Sequence, residues 1–218
     1  MGFTDSQPGR PDGQGAIEVE QTEQNLDVVL DQLVSELESP EEKVQRGETT
    51  RRLQELDLGS MDAKERKRWI GQIRGEYLVF AQQEAKLKGL AIKDWAERRS
   101  YHRHQQIYLM LGSAVVLREI GLRENYLEEL IDALIYADHE ADQDAKFDDT
   151  YRTISSVLAG YLRQYAQEKN LAISPEEFDG LSYVDARNLV KDTIANKDGI
   201  SDPDRILGEA GFLLADDH

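Results

Sequence analysis

The densest collection of metal-ligating side chains in the sequence is Asp138, His139, Glu140, Asp142, Asp144, Asp148 and Asp149. Carboxylates spaced this closely are what a calcium loop uses, because a hard cation gathers its oxygen ligands from a short, flexible segment. An EF-hand loop begun at Asp138, however, puts Gln143 where glycine makes the sharp turn and Asp149 where a bidentate glutamate belongs. The run is therefore read as a solvated acidic helix junction. Asn196-Lys197-Asp198-Gly199 copies the middle of such a loop, but Ile194 and Arg205 occupy its first and last ligand positions, which leaves a glycine-containing turn. His102 and His104 stand two apart on an expected helix and point to nearly opposite sides, so they cannot share a metal as an i, i+4 pair does. They are expected at the surface.

Other chemistries find no footing. The sequence has no Glu-x-x-His spacing for a di-iron bundle, no Gly-x-Ser-x-Gly elbow, no phosphate-binding loop and no His-Glu-x-x-His. Gly13-Gln14-Gly15 follows no strand pattern. With no cysteine in 218 residues, thiolate nucleophiles, disulfides, Cys-ligated zinc and iron–sulfur clusters are excluded. No catalytic residue, cofactor or metal ligand is nominated, and the expectation is a protein that is not an enzyme.

What the sequence does arrange is charge. The net charge is -17, from 43 acids against 26 bases. Residues 1–60 hold 5 bases and 14 acids and residues 121–218 hold 9 and 22, but residues 61–120 hold 12 and 7. Two basic patches carry this middle third: Lys64, Arg66, Lys67 and Arg68, and then Arg98, Arg99 and Arg103 with His102 and His104 between and beside them. The acidic belt opposite in sign is Asp138, Glu140, Asp142, Asp144, Asp148 and Asp149. Three readings fit: basic helices facing acidic helices of the same chain, a positive patch of one copy meeting the belt of the next, and phosphate contacts to nucleic acid. Long-range repulsion from the remaining charge opposes the third.

The elements that must position these groups all repeat near 3.6 residues, and none alternates by two, so the fold class is all-α. Leu26, Val29, Leu30, Leu33, Val34 and Leu37 form one stripe that stops at Ser39-Pro40. Ser39-Pro40-Glu41-Glu42 restarts the chain as a capping box with proline at the first helical position, and Ser174-Pro175-Glu176-Glu177 repeats that grammar. The second helix, sparse in apolar residues (Val44, Leu53, Leu56), belongs at the surface. A third helix runs from about Asp62 to Lys88 on Trp69, Ile70, Ile73, Tyr77, Phe80, Ala81 and Leu87, with Gly89 suited to the left-handed position after it. The fourth, from about Ile92 to Ile120, is apolar all round from Ile107 to Leu117 and should be the centre of the core; these 11 residues are well short of a membrane span. The fifth carries Tyr126, Leu127, Leu130, Ile131, Leu134 and Ile135, and the sixth Phe147, Tyr151, Ile154, Leu158, Tyr161 and Tyr165. Shorter helices are expected near 183–195 and 203–214.

Long helices with short connectors imply an antiparallel helical bundle or elongated helical array. The division expected is a flexible or partner-bound N-terminal arm over 1–21, a helical bundle over 22–170 and a short-helix region over 171–218. The arm holds four glycines, two prolines and hardly any large apolar residue, so burial cannot offset the entropy of ordering it. It lacks a positive segment followed by an apolar run, so no secretory signal is expected; the location expected is the cytoplasm or a virus particle. An acidic chain with 16 arginines to 10 lysines hints at a salt-adapted host. The function expected is a structural or adaptor protein in a multi-subunit assembly such as a virion, as a homo-oligomer or with protein partners and without a membrane. A regulatory module holding nucleic acid or an acidic protein on the basic patches is the alternative.

Overall fold

The computed structural model of the chain describes residues 26–35, 38–58, 60–141, 146–198 and 202–213, and all its regular elements are helical. They are α1 (26–35), α2 (Pro40–Gln54), α3 (Ala63–Ala91), α4 (Trp95–Glu119), α5 (Arg123–Ala141), α6 (Lys146–Glu168), a single 3-10 turn (Pro175–Phe178), α7 (Tyr183–Asp198) and α8 (Pro203–Glu209). The arm expected over 1–21 lies outside the described residues.

Side-chain caps set several of the starts. Ser39 Oγ accepts from the Glu42 amide while Glu42 Oε2 accepts from the Ser39 amide, so two otherwise orphaned donors are satisfied at the head of α2. Asp62 and Asp94 accept from Glu65 and Glu97 to open α3 and α4. The second serine–proline box has a smaller outcome: the Ser174 amide donates to Glu177, but only a four-residue 3-10 turn follows, since Asp179 is already extended (ψ 119°) and Gly180 follows at φ +75°.

Two boundaries differ from the sequence reading. α3 continues through Gly89 to Ala91, and α4 begins at Trp95 rather than near Ile92. Gly89 does not end a helix. It permits a close approach, since a Cβ there would lie 2.5 Å from Cε1 of His102.

α4 is the hub, packing against α2, α3 and α5; α5 packs on α6, and α6 on α7. Contacts between the ends give the directions: Gly89 near the end of α3 meets His102 near the start of α4, and Tyr77 meets Gly112 further along. The run Ile107, Tyr108, Leu109, Leu111 and Ala114–Leu117 is buried as its all-round apolarity requires. Around it lie Tyr77 and Ala81 of α3, Leu127, Leu130, Ile131 and Leu134 of α5, and Ile154, Leu158 and Leu162 of α6. Gly112 lets Tyr77 cross α4, because a Cβ would fall 2.3 Å from its hydroxyl. Gly112→Ala is expected to lower stability by about 1–3 kcal/mol through overpacking, read as a lower urea midpoint with an unchanged slope.

The C-terminal helices dock on α6. The Tyr183 amide donates to Ser155 Oγ, the Tyr183 hydroxyl to Leu213 O, and buried Arg187 donates to Phe212 O and pairs with Asp204. Some expected core positions face outward. Leu87 is 63% exposed and Val29 39%; α1 meets the core through Leu30 and Val34, with Leu26 and Leu33 partly buried beside them, and Ala81 and Ala85 lie on the buried edge of α3. α2 is less peripheral than its sparse pattern suggests, burying Glu42, Thr49, Thr50 and Leu53.

Candidate functional site

The two basic patches do not form one surface. Lys64, Arg66, Lys67 and Arg68 sit in the first turns of α3, whereas Arg98, Arg99 and Arg103 start α4 beside the far end of α3. Between Arg68 and Gly89 the helix rises ~30 Å at about 1.5 Å per residue. Nor are all these cations available. Arg66 donates to Leu58 O and Met61 O, closing the turn before α3, and Arg68 lies 5.9 Å from the Trp69 ring centroid. Arg98 donates twice to Ile92 O and so closes the α3–α4 turn. Arg103 Nε stands 2.8 Å from Glu140 Oε2 of α5, with both side chains largely buried.

What faces water at this end is different in kind. Trp95 is 68% exposed, with the Arg99 guanidinium 5.5 Å from its ring centroid. Leu87 and Leu90, each 63% exposed, precede the same turn. Lys86, Lys93 and His102 are exposed beside them. Trp95, Arg98, Arg99, His102, Arg103 and Tyr136 line a cavity of about 320 Å³. Residues 86–104 carry six bases and two acids within a chain of net charge -17. This segment is a basic, aromatic tip.

The acidic belt divides as well. Glu140 is buried and committed to Arg103, and Asp148 pairs with Arg152 one turn on. Asp138 and Asp149 remain exposed. Asp142 and Asp144 lie outside the described residues. Among the described residues no three His, Asp or Glu side chains gather as a metal site. His102 is exposed as expected. His104 is not a surface residue in the same sense: half-buried, it stacks on Phe147 at 4.1 Å between ring centroids, with Nδ1 2.8 Å from Ser100 O.

Two polar chains, the first buried and the second running from the core to the surface, escaped the sequence reading. At the α1–α2 corner the Glu38 side chain, 1% exposed, accepts from Arg46 (2.9 and 3.2 Å) and from the Tyr108 hydroxyl (3.2 Å), which lies 3.4 Å from the Tyr77 hydroxyl. Arg46 also stands 3.5 Å from Glu119, which accepts from Thr50. Beside it, also at the C-terminal end of α4, the Tyr161 hydroxyl donates to Asp27 at 2.7 Å and stands 2.9 Å from the Tyr126 hydroxyl, while Arg118 bonds Asp31. Nothing in the periodicity announces these, because tyrosines on an apolar stripe look like plain core residues and Glu38 stands in the break before Pro40.

Burial pushes the Tyr77 and Tyr126 phenols up to about 12, and moves Tyr108, Tyr161 and Tyr183 upward from the same cause. A phenol whose folded pKa exceeds its unfolded value contributes stability below the unfolded value and loses it as pH rises through the folded one. Stability is therefore expected to hold up to about pH 10, the ordinary phenol value, and to fall between there and about pH 12. An ultraviolet titration should show tyrosinate appearing together with loss of helix by circular dichroism, rather than ahead of it.

Among the described residues no helix is long and apolar enough to cross a membrane. Comparison of the chain with protein-family models, with curated proteins and with solved structures finds no match.

Proposed function

We propose that the chain is a non-enzymatic structural or adaptor protein of a multi-subunit assembly, an antiparallel helical bundle whose α3–α4 tip is the contact surface. The observation that carries this reading is Trp95, exposed beneath Arg99 and flanked by Leu87 and Leu90 in a basic segment of an acidic chain. Exposed apolar side chains rimmed by charge mark interaction sites, and Trp and Arg are the residues that most often dominate interface energy. A virion or similar particle is the setting proposed, and the acidic, arginine-rich composition favours a salt-adapted host.

The second reading, a module holding nucleic acid, is favoured by the same juxtaposition of guanidinium and indole, which suits stacking on a base beside a phosphate. Two facts weigh against it: Arg98 and Arg103 are already engaged within the chain, and the net charge repels a polyanion at long range. An acidic protein surface needs fewer free cations than a phosphate backbone.

Light scattering of the full chain in low and in molar potassium chloride tests the proposal. A discrete multimer in at least one condition is expected. A monomer in both, at every concentration, contradicts it.

A further inference from the structure

The first turns of α4 present one face unlike the rest of that helix. Trp95, Arg98, Arg99, His102 and Gln106 recur at i, i+3, i+4, i+7 and i+11, and all five line the cavity of about 320 Å³ that Tyr136 of α5 lines from the other side. No acid lines it. Arg103, the remaining lining residue, has its charge matched by Glu140. Arg98 meets a carbonyl, Ile92 O, and Arg99 meets an indole, so among the described residues neither guanidinium is neutralised by a carboxylate.

Two uncompensated guanidiniums and two aromatic rings on the walls of one cavity define its occupant. The guanidiniums call for anionic oxygens, which arginine grips through paired N–H donors. The rings call for an apolar side chain. The volume stands at the small end of the roughly 300–1,000 Å³ of ligand clefts, enough for a side chain or two. Both arginines are also held before anything binds, Arg98 by Ile92 O and Arg99 over Trp95, so less side-chain freedom is lost on binding.

Resting on the reading of this tip as the contact surface, we infer that the cavity is the seat of an acidic peptide segment of a neighbouring subunit. One apolar side chain enters between Trp95 and Tyr136, and carboxylates on either side of it meet Arg98 and Arg99. Carboxylates fit better than a phosphate backbone because this cationic surface is short. The other basic patch, at the start of α3, lies ~30 Å away along that helix. A nucleic-acid strand would gain a contact or two here and meet the field of a net charge of -17 beyond them.

Isothermal titration of the full chain at low salt tests this, with the acetylated and amidated pentapeptide Glu-Glu-Leu-Glu-Glu as the probe. One-to-one binding is expected. Replacing the probe's leucine by glycine, or its glutamates by glutamine, should weaken binding by about tenfold, through loss of the apolar anchor or of the charge-assisted contacts. Trp95→Ala and Arg99→Gln should each cost a similar factor. Lys64→Gln with Lys67→Gln, on the distant patch, should change the affinity by less than about twofold. Circular dichroism checks that each variant is folded; should Trp95→Ala unfold, Arg99→Gln carries the comparison.

Equal weakening by the Lys64 and Lys67 substitutions would reduce the binding to diffuse attraction and overturn the inference. A five-nucleotide oligothymidylate that binds more tightly than the peptide, with the same dependence on Arg99, overturns it in favour of nucleic acid. Absence of peptide binding overturns it as well, and a multimer found by light scattering would then leave the assembly reading standing. Peptide binding by a chain that stays monomeric in every condition upholds the acidic-peptide site while the assembly reading fails.

Discussion

Arg103→Leu is expected to destabilise the fold by about 3–5 kcal/mol, the cost of breaking a buried pair and leaving one charge behind. The carboxylate left behind is Glu140, whose side chain is 9% exposed and whose ion partner at 2.8 Å is Arg103. Water cannot reach it well enough to replace the guanidinium. The double variant Arg103→Leu, Glu140→Leu should recover most of the loss, since exchanging a buried pair for apolar side chains of similar volume is often neutral or stabilising. By contrast Arg99→Leu, at an exposed position, should change monomer stability by no more than about 0.5 kcal/mol while weakening self-association. Urea unfolding of the four proteins at one concentration reads the first three differences; equal losses for Arg103→Leu and Arg99→Leu would contradict the division between structural and interfacial arginines.

The second large effect belongs to Glu38. Glu38→Ala removes the acceptor of both Arg46 donors and of the Tyr108 hydroxyl. Arg46 keeps Glu119 at 3.5 Å, so its charge is not stranded, but Tyr108 is left facing only the Tyr77 hydroxyl. The loss should be about 3 kcal/mol, the lower edge for breaking a buried pair. Glu38→Gln keeps an acceptor oxygen and should lose about 1.5 kcal/mol, the difference between a charge-assisted and a neutral hydrogen bond. An unchanged urea midpoint for Glu38→Ala would mean that α1 and the head of α2 do not contribute to the cooperative unit.

Much of the fold was legible in the residues. The stripe Ile107–Leu117, the capping box at Ser39 and the tyrosines of α6 each follow from a local rule: all-round apolarity means burial, serine three before glutamate means a helix start, and an i, i+3, i+4 aromatic lies on the packed face. Where the reading failed, a contact distant in sequence decided the matter. Gly89 resembles a helix terminator until His102 is found against it. Leu87 fits the stripe of α3, yet α4 closes on the side of that turn that carries Ala85 and Gly89, and Leu87 points away from it into water. The basic patches were visible as composition, but composition could not separate Arg98 and Arg103, which close a turn and a helix pair, from Arg99, which lies exposed over Trp95. That distinction rests on where Ile92 O and Glu140 stand, positions fixed only when α3, α4 and α5 pack.

The role proposed for the tip as a contact surface has a direct optical reporter, because the chain contains two tryptophans and Trp69 is partly covered by the core. In Trp69→Phe the emission comes from Trp95 alone. Dilution of that protein at low salt should carry the emission from the blue-shifted position of a covered indole to that of a water-exposed one, with a midpoint that moves to higher protein concentration as salt is added. Emission typical of exposed indole at every concentration and salt would contradict the claim that the α3–α4 tip is where this protein meets its partner.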